Sequence, residues 1–228
     1  MKYLIIGLGS YGAILAEKLT RMGNEVIGVD IQMSRVETIK DKISHAIQLD
    51  ATDVTAVSNL PLKDTDVVVV GIGEDVAANI MATAMMKQLK VKRLISRAVS
   101  PLQEMVLGAM GVEEITHPEG EAAERWATKL NLKGVVDSFD INWEYGLVEA
   151  MIPKEFDGKT LQEVNLREEY DLIVLSTIRV VTEKNDLGGD RPVNHVQGVA
   201  SAQTVLRKGD IMVLYGHNKN VKRFLEAY

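Results

Sequence analysis

The chain opens Met1-Lys2-Tyr3-Leu4-Ile5-Ile6-Gly7-Leu8-Gly9-Ser10-Tyr11-Gly12, a short apolar run delivered into a Gly-x-Gly-x-x-Gly turn. That spacing demands a strand, a tight reversal and a helix that returns within backbone contact of the strand. Gly7 permits the turn, Gly9 lets main-chain N–H groups approach a pyrophosphate, and Gly12 lets the helix pack closely. Ile14, Leu15, Leu19 and Met22 continue a helical pattern, and Glu25-Val26-Ile27-Gly28-Val29-Asp30 answers it with a second strand ending in an acid. Asp30 is therefore placed to accept hydrogen bonds from a ribose. The competing reading is a strand-to-helix turn in which glycine serves geometry alone.

Apolar strands near 2–6, 25–30, 45–49, 66–71, 93–97 and 113–117 alternate with amphipathic helical stretches, the pattern of a parallel sheet. Val67-Val68-Val69-Val70 is β-branched throughout, as suits a strand covered on both faces. Right-handed crossovers give the strand order 3-2-1-4-5-6, with the ligand crevice over the ends of strands 1 and 4. Beyond Pro118 a helical run to about Leu130 leads into short strands near 139–143, 146–151, 171–181 and 210–215, with no helices alternating between them. Asn185 to Asp190 reads as a loop, Lys208-Gly209-Asp210 as a turn, and Asn220 to Tyr228 as a closing helix. The expected fold is α/β: a doubly wound parallel sheet over 1–134, then a small α+β domain over 135–228.

Composition removes several classes of function. A net charge of −6 provides no general basic surface, which argues against extended nucleic-acid binding. With no cysteine, disulfide and thiolate chemistry are excluded and zinc loses its commonest ligand. The apolar start reads as strand and helix and not as a leader, because the fingerprint accounts for the glycines that interrupt it. Val76 to Met86 is too short to span a bilayer and contains Asn79 and Thr83.

The four histidines, His45, His117, His195 and His217, are scattered and form no catalytic set, so an NAD-dependent oxidoreductase would have a cofactor site without a proton donor. Asp50-Ala51-Thr52 closes the third strand where an adenine or ribose can rest, although Thr52 or Asp53 equally suits a helix cap. Gly71-Ile72-Gly73 lies at the switch point, where backbone can approach a nucleotide from the opposite side or simply turn. Arg97 ends the fifth strand, either facing phosphates or standing as a solvated rim charge. Glu119 follows Pro118 at a helix start, where an acid complements the helix dipole; facing phosphates instead, it requires magnesium, calcium or sodium between the negative groups. Met81, Met85 and Met86 read as core or subunit interface.

Together the GLGSYG turn, Val29-Asp30, Asp50-Ala51-Thr52, Gly71-Ile72-Gly73, His117-Pro118-Glu119 and Lys208-Gly209-Asp210 resemble the regulatory subunits of Trk/Ktr-type potassium uptake systems. The resemblance runs over nearly the whole length. It implies a Rossmann-like RCK (regulator of conductance of potassium) N-terminal domain and an RCK C-terminal domain. It also implies a cytoplasmic protein forming dimers and octameric rings, docked on a membrane-embedded potassium-translocating subunit that it gates. By that resemblance the nucleotide contacts comprise Gly7, Leu8, Gly9, Ser10, Tyr11, Gly12, Asp30, Ile31, Asp50, Ala51, Thr52, Gly71, Ile72, Gly73, Arg97 and Glu119, with Glu119 also holding a cation. Relatives that distinguish ATP from ADP often carry arginine where this chain has Ser10, which leaves NAD(H), ATP, ADP and AMP open. Asp30 disfavours NADP(H), whose 2′-phosphate would meet a carboxylate. Cyclic di-AMP, bound by some C-terminal domains of this family, is expected near Leu166 to Leu175 if it binds at all. Another channel or antiporter as the partner is the remaining alternative.

Overall fold

A computed structural model describes residues 1–184 and 189–228. The chain divides into two compact units, Met1–Gly120 and Glu121–Tyr228. In the first, strands and helices alternate without exception: β1 (Lys2–Ile6), α1 (Ser10–Arg21), β2 (Glu25–Asp30), α2 (Met33–Ile39), β3 (His45–Gln48), α3 (Val54–Ser58), β4 (Val67–Val70), α4 (Val76–Gln88), β5 (Leu94–Arg97), α5 (Pro101–Ala109) and β6 (Glu114–Thr116). The strands form a parallel sheet in the order β3-β2-β1-β4-β5-β6, as the crossover rule required.

Strand periodicity sends alternate residues to opposite faces, and both faces are buried. Leu4, Ile6, Val68 and Val70 join Val57, Met86 and Leu107, so α3, α4 and α5 cover one side. Ile5, Val67 and Val69 join Ala16, Val36 and Ile39 of α1 and α2 on the other. The β-branched β4 lies at the centre, with none of its residues more than 3% exposed. Met85 and Met86 are core residues, whereas Met81 of the same helix is exposed.

Helix α6 (Pro118–Asn131) starts at the end of the first unit and otherwise belongs to the second, whereas the sequence reading grouped it with the first. The second unit contains β7 (Val135–Asp140), β8 (Tyr145–Met151), α7 (Leu161–Val164), α8 (Leu166–Tyr170), β9 (Ile173–Lys184), β10 (Asp190–Val196), β11 (Ile211–His217) and α9 (Asn218–Ala227). Its strands form an antiparallel sheet in the order β10-β9-β11-β8-β7. Phe156, Tyr170, Met212, Leu214 and Phe224 form its core, with Phe156 and Phe224 stacked 6.1 Å apart.

Two expectations change here. The strand placed near 139–143 straddles a turn, because the Asn142 side chain accepts from the Glu144 and Tyr145 N–H groups at 2.9 and 2.7 Å and reverses the chain between β7 and β8. Strand β10 was not anticipated: it is a largely exposed edge strand that contains Pro192 and lacks apolar alternation. Most of the loop expected over Asn185 to Asp190 lies outside the described residues.

At the joint between β1 and α1 the two backbones approach closely. A Cβ on Gly12 would stand 1.9 Å from the Gly7 carbonyl oxygen, so the helix can lie against the turn only because that atom is missing. Gly7 itself sits at φ +95°, in the left-handed region. Gly12→Ala should destabilise the first unit by about 3 kcal/mol or more in urea denaturation. Gly108→Ala, at an exposed position of α5 with no atom near the new methyl, should stabilise it by about 0.5–1 kcal/mol.

Candidate functional site

A cleft of about 460 Å³ opens over the C-terminal ends of β1 and β4, where the winding of the sheet reverses. Its floor is the glycine turn. The Gly7 N–H donates to the Val29 carbonyl at 2.8 Å and the Gly71 N–H to Ile6 at 2.7 Å, tying the turn to both neighbouring strands. Helix α1 starts at Ser10 with Gly9 as its N-cap and no side-chain cap, whereas Asp53, Asp75 and Ser100 cap α3, α4 and α5. The first-turn amides of α1 have no intrahelical partners, and Gly9, Ser10 and Tyr11 line the cleft, an arrangement that favours anions.

Gly9 differs from its two companions. Its φ of −65° is open to any residue, and the nearest atom to an added Cβ would be Arg35 Nη1 at 3.8 Å. The fold requires glycine at 7 and 12. It does not require one at 9, where a Cβ would meet nothing closer than that ordinary contact on the lining of the cleft.

Asp30, 5% exposed, forms one wall. Its Oδ2 accepts the Leu8 N–H at 2.7 Å and its Oδ1 the Gln32 N–H at 2.8 Å. These bonds fix the carboxylate and leave further lone pairs for hydroxyl donors. Beside it, after the neighbouring strand β3, the Asp50 carboxylate accepts from both the hydroxyl and the amide of Thr52 at 2.7 and 2.8 Å, and these bonds hold its pKa below the ordinary carboxylate value. The cap of α3 is Asp53, which accepts from the Thr55 and Ala56 amides, so Asp50 and Thr52 remain available to the cleft.

On the far side, Arg97 is packed and not a solvated rim charge: its side chain is 14% exposed. Its Nη1 donates to the Gly71 carbonyl at 3.2 Å, its guanidinium lies 5.6 Å from the Tyr11 ring centroid, and its Nη2 pairs with Glu119. The Arg97 Nε is buried without a hydrogen-bond partner. Behind Arg97 a buried polar network holds the loop ends together. Asn79 donates to the carbonyls of Ile72 and Arg97 at 3.0 and 3.1 Å, Gln103 donates to the Asn79 side chain at 2.9 Å, and Thr83 meets Ser96 at 2.9 Å.

Of the residues named from sequence, Gly7, Gly9, Ser10, Tyr11, Asp30, Ile31, Asp50, Ala51, Thr52, Gly71, Ile72, Gly73, Arg97 and Glu119 line this one cleft. Leu8 and Gly12 do not. The Leu8 side chain is core and its N–H is taken by Asp30, and Gly12 faces the Gly7 carbonyl. Sequence reasoning missed Arg35 and Glu74, which also line it. None of the four histidines does, and among the described residues no three His, Asp or Glu side chains cluster as a metal site. In the second unit, the segment Leu166 to Leu175 places Leu166, Tyr170 and Leu172 in the core, whereas Arg167, Glu168, Glu169, Asp171, Ile173 and Leu175 are exposed.

Residues 3–118 match the model of the TrkA-N domain. The chain belongs to the TrkA-N family. It is 32% identical to Ktr system potassium uptake protein A of Vibrio alginolyticus over 99% of this chain and 97% of that protein. It is 30% identical to Ktr system potassium uptake protein C of Bacillus subtilis over 98% and 95%. The fold resembles the GsuK RCK domain (TM-score 0.63, 15% identity), of which it covers 47% while 98% of this chain is matched. A GsuK channel bound to NAD gives the same TM-score and identity, with 39% of that chain covered.

The hydrogen bonds of the two acids separate structural from exposed roles. Asp30→Ala removes the charged acceptor of a buried amide and should cost about 1–3 kcal/mol of stability without ligand. Asp50→Ala, on an exposed turn, should stay within about 0.5 kcal/mol of wild type in the same denaturant titration.

Proposed function

We propose that this chain is a regulatory subunit of a potassium uptake system that binds an adenine nucleotide in the first-unit cleft and adjusts a membrane-embedded potassium-translocating partner. The observation that carries this reading is Gly9, a glycine unexplained by the fold, lying between free helix-start amides and a fixed carboxylate. Family membership supplies the physiological setting. The first unit is then the RCK N-terminal domain and the second the RCK C-terminal domain. Among the described residues no helix is long and apolar enough to cross a membrane. The names of the relatives support a membrane-embedded partner that carries the ions, with this chain attached through it at the inner face of the membrane.

In this reading phosphates rest on the amides of Gly9 to Tyr11, the ribose hydroxyls meet Asp30, and the adenine lies toward Asp50 and Thr52. NAD(H), ADP and ATP all satisfy these contacts. A cation at Glu119 belongs to the reading when nucleotide phosphates complete its ligands, since the carboxylate is otherwise paired with Arg97. Regulation requires a nucleotide to bind two assembly shapes with different affinity. Couplings of about 1–3 kcal/mol per site make several sites necessary for a decisive switch, which favours a homo-oligomeric ring. The nucleotide is a signal and is not consumed.

Gly9→Ala isolates the claim because the protein accommodates the methyl group. Its stability should match wild type within about 0.5 kcal/mol, while affinity for ADP and NAD in titration calorimetry falls by at least about tenfold. Co-expressed with its transporter, the variant should also lose the nucleotide dependence of potassium flux. Equal affinities for wild type and variant would remove the reading, as would steady oxidation of NADH by the purified protein with small carbonyl compounds.

A further inference from the structure

The cleft has a charge problem. Asp30, Asp50, Glu74, Asp75 and Glu119 line it, against Arg35 and Arg97. The glycine turn itself contributes no cation, because Ser10 and Tyr11 are its polar side chains. A pyrophosphate entering this field is repelled unless a guanidinium turns to meet it. Arg97 is committed to the Gly71 carbonyl, the Tyr11 face and Glu119.

Arg35 is placed differently. It rises from the first turn of α2, 28% exposed, with Nη1 3.6 Å from Asp30 Oδ2. That same Nη1 is the nearest atom to the missing Cβ of Gly9. It therefore stands at the junction between the ribose carboxylate and the bare Cα over the helix start. Its Nη2 donates to both carboxylate oxygens of Glu74, at 2.9 and 2.7 Å, reaching from α2 to the loop between β4 and α4. The Glu74 side chain is 75% exposed, so it can leave for water at small cost.

We propose that Arg35 receives the 5′-phosphates of the nucleotide, and that Glu74 is a displaceable carboxylate occupying the guanidinium until phosphate replaces it. This rests on the nucleotide-binding reading and adds to it the residue that selects for phosphate. A phosphate offers more charge and more acceptor oxygens than Glu74, and it binds at the helix start, where Arg35 and the α1 amides converge. Asp30 is held by two backbone amides and cannot withdraw, so it repels a 2′-phosphate at the neighbouring ribose. The ligand class is thus an adenine nucleotide with a 5′-diphosphate and a free 2′-hydroxyl. The exchange also releases the Glu74 carboxylate to solvent whenever the cleft fills.

The test compares wild type, Arg35→Gln, Glu74→Gln and the double variant, all as full-length chains whose melting temperatures without ligand are checked first. Binding is measured for ADP, NAD, NADP and adenosine. Arg35→Gln should weaken ADP and NAD by about tenfold and leave adenosine unchanged, because a charge-assisted bond to phosphate is lost and none to the sugar. Glu74→Gln should tighten ADP severalfold, and that gain should vanish in the Arg35→Gln background. Equal weakening of adenosine and ADP would overturn the proposal by making Arg35 a prop for Asp30. Unchanged ADP affinity in Arg35→Gln would overturn it too, as would a loss seen with NADP but not with NAD. These failures leave wild-type binding of ADP intact, whereas a wild type that binds none of the four probes defeats the nucleotide-binding reading as well.

Discussion

The closeness of α1 to the turn that precedes it governs the rest of this molecule. Because Gly12 has no side chain, the helix packs against the Gly7 carbonyl, and its first amides open directly onto the cleft between β1 and β4. From that contact the other features follow in order. The turn brings the Leu8 N–H to Asp30 and thereby fixes the carboxylate at the end of β2. The same turn sets Gly7 against Ile72, joining the glycine loop of β1 to the loop after β4. A floor of main-chain donors and a wall with a rigid acid are consequences of one backbone-to-backbone approach.

The walls of the cleft are built with more charge than its interior satisfies. The carboxylates of Glu74 and Glu119 hold the guanidinium groups of Arg35 and Arg97, and both acids are exposed while both arginines are largely covered. Such pairs contribute little to stability when one partner is solvated, and the same property makes them exchangeable. A cleft whose cations are occupied by weakly held internal anions responds to charge as well as to shape.

Much of the first unit could be read directly from the residues. Every strand of the parallel sheet was located within a residue or two, because β-branched runs and the helical period between them are local signals. Asp30 was legible because its distance from the glycine turn is itself a motif. Arg35 and Glu74 were not, since they meet only through folding, across a long sequence gap and from elements with no fixed mutual spacing. Asn79 and Gln103 were hidden for a related reason: a polar residue in an apolar helix looks like an interruption until the carbonyls it serves are known. In the second unit β10 left no trace, as an exposed edge strand with an internal proline has no alternation to detect. The Trk/Ktr resemblance drew on the whole set of motifs and agrees with the TrkA-N match over residues 3–118.

The central claim is that a nucleotide rests on the start of α1 and beneath Asp30. Hydrogen exchange read by mass spectrometry, with and without saturating ADP, tests it segment by segment. Slowed exchange is expected over residues 7–13, with a smaller effect over 49–52. Unchanged exchange in both segments under conditions where calorimetry shows ADP bound, with protection confined to the second unit, would contradict it.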